Sequence, residues 1–211
     1  MASSHGPDGL PLLVWRFEQP MTVASTAAAG GGLGPRRWII NAQVPLGYSR
    51  LDPERHVDEL ASSEGLSGPG VGMLTAADVG SVVRVEDAGV SVETTVGISH
   101  PVWAASTEPP EADSGAGTIN IVAFVPTPFS EAALLNALCT ITEAKSQALW
   151  LAGVEGTGTA SDAVTVVCPL GGDVEVFGGP RSRWGATLAR AVCAAVRTGC
   201  SGQSPPDAVR L

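Results

Sequence analysis

Lysine is nearly missing from this 211-residue chain: arginine carries the positive charge at every basic position but one, and the exception is Lys145. Other scarcities exclude whole classes of protein. No stretch approaches the about twenty uninterrupted apolar residues of a membrane-crossing helix, so no membrane partner is expected. Residues 1–8 offer neither a basic stretch nor an apolar one behind it, which argues against a secretory leader. Histidine occurs three times, and with His5 in the expected N-terminal tail, His56 and His100 alone cannot build a His-rich centre. Carboxylates could complete one, but no metal is expected. Cys139, Cys168, Cys193 and Cys200 lack C-x-x-C spacing and read as reduced thiols of a cytoplasmic protein, the first three as small buried hydrophobes. A basic stripe is also absent. The formal charge is −9 and the arginines are dispersed apart from Arg36-Arg37 and Arg181-Ser182-Arg183, so nucleic acid is not an expected partner.

What is present reads as one folded domain, since 44% of residues are hydrophobic and only 16% charged. Residues 1–10 are expected to be a flexible start, 11–199 the domain and 200–211 a polar tail. Strands are expected over 12–17, 21–25 and 38–44, with 27–34 a flexible Ala/Gly loop that could tip a hairpin. Asp52 as cap and Pro53 at the first helical position start a helix over 52–62, and a second, short one is expected over 75–79. Residues 81–86 and 90–98 form a hairpin around Asp87-Ala88-Gly89. After a Pro-rich, acidic loop over 106–117, strand 119–125 feeds helix 130–152, with Ser130 as cap; strand 163–168 and helix 183–197 close the domain. Hairpins demand antiparallel neighbours, while the late strand–helix–strand unit permits a parallel crossover. The expected fold class is therefore α+β, a mixed, largely antiparallel sheet with helices packed on it.

On the wheel of helix 130–152, Lys145 falls in an apolar stripe with Leu134, Leu138, Ile141 and Leu149, while Asn136, Thr140, Glu143 and Gln147 share the other side. Two readings of Lys145 stand: it snorkels to water, or it is buried and needs a carboxylate. The carboxylate on offer is Asp162, at the end of Gly156-Thr157-Gly158-Thr159-Ala160-Ser161-Asp162. This loop reads either as a connecting turn or as a ligand cradle. It lacks the Gly-Lys-Ser/Thr ending of a phosphate-binding loop and enters a strand instead of opening a helix. Glu143 is a candidate base, but it points about 160° away from Lys145 on an ideal helix.

These same segments, Asn136-Ala137-Leu138 through Thr142-Glu143-Ala144-Lys145 and Gly156 through Asp162, resemble the adenosylcobinamide amidohydrolase family. Other pieces agree in order: Trp38-Ile39-Ile40-Asn41-Ala42 with Tyr48 beyond, Gly70-Val71-Gly72-Met73-Leu74-Thr75-Ala76, Thr95-Val96-Gly97-Ile98-Ser99-His100-Pro101 and Thr118-Ile119-Asn120. The resemblance implies a hydrolase of a linear carbon–nitrogen amide in cobalamin salvage, which cuts the aminopropanol amide of adenosylcobinamide to give adenosylcobyric acid. The corrinoid is then substrate and not cofactor, and no cofactor is expected. Lys145, Asp162, Thr159 and Glu143 are the expected catalytic residues. Asn41, Tyr48, Ser99, His100, Asn120, Thr142, Thr157, Gly158 and Ser161 are the expected substrate-binding ones. Trp38, Tyr48, Trp103, Trp150 and Trp184 are candidate walls for a flat ring. Two rival classes stay open at this stage, a non-catalytic corrinoid or nucleotide binder and a hydrolase of a smaller amide, and a homo-oligomer is compatible with all three.

Overall fold

Val83–Asp87 and Val90–Val96 close on a two-residue loop in which Ala88 and Gly89 both have positive φ, 45° and 89°. That left-handed pair matches the twist of the flanking strands and fixes their register. The computed structural model that shows this describes residues 1–107 and 117–201. Its strands are β1 Ala2–His5, β2 Pro11–Ser25, β3 Gly32–Gln43, β4 Gly70–Thr75, β5 Val83–Asp87, β6 Val90–Val96, β7 Ile119–Phe124 and β8 Ala163–Cys168; its helices are α1 Pro53–Ser63, α2 Glu131–Leu151 and α3 Arg183–Cys200. The strands form one sheet in the order β4-β3-β2-β8-β7-β6-β5, with β1 paired to β2. β3–β4 and β7–β8 are parallel and every other pair is antiparallel, so the fold is α+β with a mixed, largely antiparallel sheet.

The sheet is strongly curled. β3 and β7 lie three strand steps apart, which would separate them by about 14 Å in a flat sheet. Yet Asn120 Nδ2 of β7 donates to Asn41 Oδ1 of β3 at 2.8 Å, and Trp15 Nε1 of β2 donates to Glu93 Oε1 of β6 at 3.2 Å. Inside the curl, Leu13, Ile39, Val71, Met73, Val122 and Val167 pack together. On the outside, α1 covers Leu12, Val14 and Ile40, while α2 and α3 cover Ile121, Val164 and Val166. Each Leu, Ile or Val side chain buried in these layers contributes about 1.5–3 kcal/mol.

Helix ends follow local chemistry. Ser130 and Ser182 accept hydrogen bonds from Ala133 N and Gly185 N, three residues on, and Gly153 stops α2 at φ 75°. Asp52, expected as a cap, makes no such bond, because Arg50 holds its carboxylate at 2.8 Å and 3.0 Å.

Several expectations need correction. Residues 2–5, which fall within the expected flexible start, pair along β2. The two strands expected over 12–17 and 21–25 are one, interrupted by a register shift between Arg16 and Met21. The loop over 27–34 is not a free tip: Ala29 bridges Gly72, and Gly30 lies so close to the Gly70 carbonyl that a side chain would not fit. The short helix over 75–79 is replaced by the end of β4 and a 3₁₀ turn, Val79–Ser81, capped by Asp78. Cys139 is exposed and Cys193 half-buried; Cys168 and Cys200 are the buried thiols, and burial pushes both thiol pKa values up. Most of the loop expected over 106–117 and of the tail after 200 lies outside the described residues.

Candidate active site

Lys145 projects from α2 among Ile141, Ala144, Ala148 and Leu149 and is 6% exposed. A lone ammonium there would cost several kcal/mol. It is not alone: Lys145 Nζ donates to Asp162 Oδ2. The same carboxylate accepts from Thr159 N at 3.1 Å, from Thr159 Oγ1 at 2.5 Å and from Ile119 N at 2.9 Å. Parallel pairing explains the last bond. Asn120 of β7 lies opposite Ala163 of β8, which brings the start of β7 beside Asp162. Four donors hold the carboxylate in place and make Asp162 an anchor for the ammonium. Among the described residues Asp162 is the one acceptor that Nζ reaches, so two of its three N–H donors remain for a ligand.

The glycines of the loop have separate reasons. A Cβ on Gly158 would collide with both Lys145 Nζ and Asp162 Oδ2, so the ion pair fills the space that any side chain would need. A Cβ on Gly156 would stand 3.0 Å from Pro101 Cβ and from Val102 O, where the chain after β6 crosses the loop. That crossing is bonded: Val102 N donates to Gly158 O at 2.8 Å and Thr157 N to Val102 O at 2.9 Å. α2 holds the loop from another side, with Ser146 Oγ 3.0 Å from Thr157 O. Ser161 Oγ and Thr118 Oγ1 share a hydrogen bond of 2.8 Å at the third.

Next to Ser161 opens a cavity of about 360 Å³, lined in part by Ala76, Gly97, Ile98, Ser99 and Gly117. Ser161 Oγ reaches the Gly117 carbonyl at 3.5 Å, which links the loop to the cavity wall.

The structure gathers Lys145, Asp162, Thr159, Gly158, Thr157 and Ser161 into one constellation, with Ser99 across the adjoining cavity. It separates others from it. Glu143 is exposed on the face of α2 turned away from Lys145, the geometry that the wheel requires; Thr142 is exposed too and donates to Leu138 O of its own helix. Thr140 turns inward, against its expected place on the polar face, and donates to Gly178 O. Asn41 and Asn120 are buried inside the curl, where Asn41 Nδ2 donates to Thr95 Oγ1 at 3.0 Å. Tyr48 stacks on His56, its hydroxyl 2.9 Å from Nδ1; burial raises the tyrosine pKa and lowers that of the histidine. His100 is exposed just beyond Ser99. Sequence reasoning did not single out Thr118 and Ser146 as site residues, because only β7–β8 pairing and the docking of α2 on the loop reveal them. No group of three or more His, Cys, Asp or Glu that could hold a metal exists among the described residues.

Comparison with known proteins gives the family. The adenosylcobinamide amidohydrolase family profile matches residues 3–207. A Methanosarcina mazei protein named adenosylcobinamide amidohydrolase is 32% identical over 160 residues, covering 76% of this chain and 74% of the relative. A Halobacterium salinarum protein of the same name is 34% identical over 131 residues, 57% of this chain and 54% of its own. A match from near one end of the chain to near the other, with a relative 32% identical over most of both chains, places this chain in the adenosylcobinamide amidohydrolase family.

Proposed function

We propose that this protein hydrolyses the amide between the corrin ring's propionyl arm and aminopropanol in adenosylcobinamide, giving adenosylcobyric acid for cobalamin salvage. One observation carries the reading to particular residues. The chain's single lysine is buried, paired with Asp162 and, among the described residues, bonded to no other acceptor, which leaves it N–H donors to spare. Amide hydrolysis puts negative charge on the carbonyl oxygen as water adds, and preorganised donors in a dry site are the strongest means of stabilising it. Lys145 supplies those donors. Asp162 fixes its direction, and Thr159 and Ile119 N fix Asp162, so the charge is in place before substrate arrives. Ser161, bonded to Thr118 and to the Gly117 carbonyl of the cavity wall, is the hydroxyl we assign to the aminopropanol hydroxyl or the ring's amide arms. The carbon–nitrogen bond then breaks, the acyl part leaves as carboxylate and the amine takes up a proton. The corrinoid enters with its own cobalt and leaves with it, so the metal belongs to the substrate.

The four free cysteines support a reducing, cytoplasmic setting, and no helix among the described residues is long and apolar enough to cross a membrane. Purified protein incubated with adenosylcobinamide should release aminopropanol and cobyric acid in equal amounts. Corrinoid binding with no product would leave a binder, and indifference to corrinoids would leave a hydrolase of another amide.

A further inference from the structure

We propose that Trp103 is the platform on which the flat corrin ring lies while its amide arm reaches Lys145, an inference that rests on the hydrolase reading above. The backbone on both sides of Trp103 is pinned to the loop that wraps the ion pair. Val102 is bonded to Gly158 and Thr157 through its N–H and carbonyl, and Ala104 N donates to Thr157 Oγ1 at 3.0 Å. Trp103 O in turn accepts from Ser106 N at 3.0 Å. The ring itself is left over. Trp103 is 50% exposed, and its indole makes no hydrogen bond or ring contact among the described residues. A large apolar face held in water by a fixed backbone loses little freedom when a ligand covers it, so ordering of the site offsets little of the gain from burial against a flat partner.

Reach selects this tryptophan over the others. Two methylenes separate the amide carbon from the ring, so the ring edge lies within about 5 Å of the carbon under attack, from bond lengths near 1.5 Å. Trp103 is one residue from the partner of Gly158, the glycine packed on Lys145 Nζ. Trp38 is buried against Gly70, with its Nε1 spent on Gly68 O. Trp15 is buried with Nε1 on Glu93, and Trp184 has its Nε1 on Glu175 and Arg183 over its ring. Trp150 is exposed, but five residues along α2 turn it about 140° from Lys145.

The test compares Trp103→Ala and Trp103→Phe with Trp150→Ala as a surface control. Kd for adenosylcobinamide is measured by equilibrium dialysis, KM and kcat by aminopropanol release, and folding by Tm. Trp103→Ala should raise Kd and KM about tenfold, with kcat within about twofold and Tm unchanged; phenylalanine should recover most of the loss and Trp150→Ala should bind as the parent does. Unchanged Kd in Trp103→Ala, or an equal rise in Trp150→Ala, overturns the platform. Should the alanine variant unfold, Trp103→Phe against Trp103→Leu decides: a flat face requires phenylalanine to bind more tightly, and equal affinities overturn the proposal. The parent protein separates the two readings. Binding without aminopropanol release defeats hydrolysis and leaves the platform standing, whereas no binding defeats the platform as well.

Discussion

Lys145 and Asn120 both lie in the interior with polar side chains around them, yet the two clusters differ in charge, in closure and in what they connect. Around Lys145, a full positive and a full negative charge meet, and the carboxylate has a donor for each of its bonding directions. The segment that bears Thr159 is glycine-spaced and tied to α2, to β7 and to the chain after β6. Around Asn120 every group is neutral. Asn120 Nδ2 spans to Asn41 and to Leu74 O, Asn41 passes the chain on to Thr95, and Asn120 Oδ1 has no partner among the described residues. This second cluster joins β3 and β4 to β6 and β7, the two flanks of the curl, and its side chains are directed to one another. The contrast teaches that burial of polar atoms does not by itself mark a reaction centre. An ion pair with spare donors is the arrangement that the hydrolase proposed above uses; the carboxamides tie the two flanks of the curl together.

The sharpest break between the clusters is Asp162→Asn. It removes the charge opposite Lys145 and leaves an ammonium buried without compensation, a loss of about 3–5 kcal/mol in denaturant titration together with loss of turnover. An unfolding free energy within about 1 kcal/mol of the parent would mean that Lys145 reaches water without Asp162.

Lys145→Arg comes next and tests chemistry more than folding. The guanidinium keeps the charge, but its planar fork does not fit where Gly158 packs directly on Nζ. Turnover should fall by about 10²-fold to 10³-fold, the loss that follows removal of one oxyanion donor. Near-normal kcat in this variant would place the electrophile elsewhere.

On the carboxamide side, Asn41→Leu leaves the Asn120 amide and the Thr95 hydroxyl each short of a partner. The expected loss is about 1–3 kcal/mol of stability, read by thermal or denaturant unfolding, with kcat within about twofold of the parent. A large fall in kcat at unchanged stability would turn the belt into part of the site and erase the distinction drawn above.

That distinction was only half visible in the sequence. Lys145 and Asp162 were legible because both depend on local rules: a 3.6-residue period puts the lysine in an apolar stripe, and a short glycine loop returns an aspartate to it. The same period warned against Glu143. Thr118 and Ser146 were not legible as partners of the loop, since nothing local sets which strand lies beside β8. Nor was the Asn41–Asn120 bond, which exists because the sheet curls through three strand steps. β1 was hidden for another reason: Ala2-Ser3-Ser4-His5 has no apolar alternation, and backbone pairing to β2 makes it a strand. The fold class survived these gaps because the hairpin turn at Ala88-Gly89 and the capped helices are each set by two or three neighbouring residues.

The smallest expected effect lies outside both clusters and sets a baseline for them. Ser4 Oγ donates to Glu64 Oε1 at 2.5 Å and Arg16 Nη2 to Glu64 Oε2 at 2.7 Å, tying β1 and β2 to the end of α1. The Ser4 hydroxyl first, and Arg16 after it, hold the Glu64 carboxyl below the ordinary glutamate value against the opposing effect of burial. A carboxyl whose pKa is depressed on folding adds stability above its unfolded value near 4.3, and that stability is lost as pH falls through the folded one. Glu64→Gln should therefore lower stability at neutral pH by at most about 1 kcal/mol, because Arg16 is half-exposed and water screens the pair. Below about pH 4 the difference between variant and parent should shrink toward zero. Unfolding measured at pH 7 and at pH 3 checks the sign: a gap unchanged in acid would show that the Ser4 and Arg16 contacts do not depend on the carboxylate's charge, and no gap at either pH would leave β1 held by its backbone bonds alone.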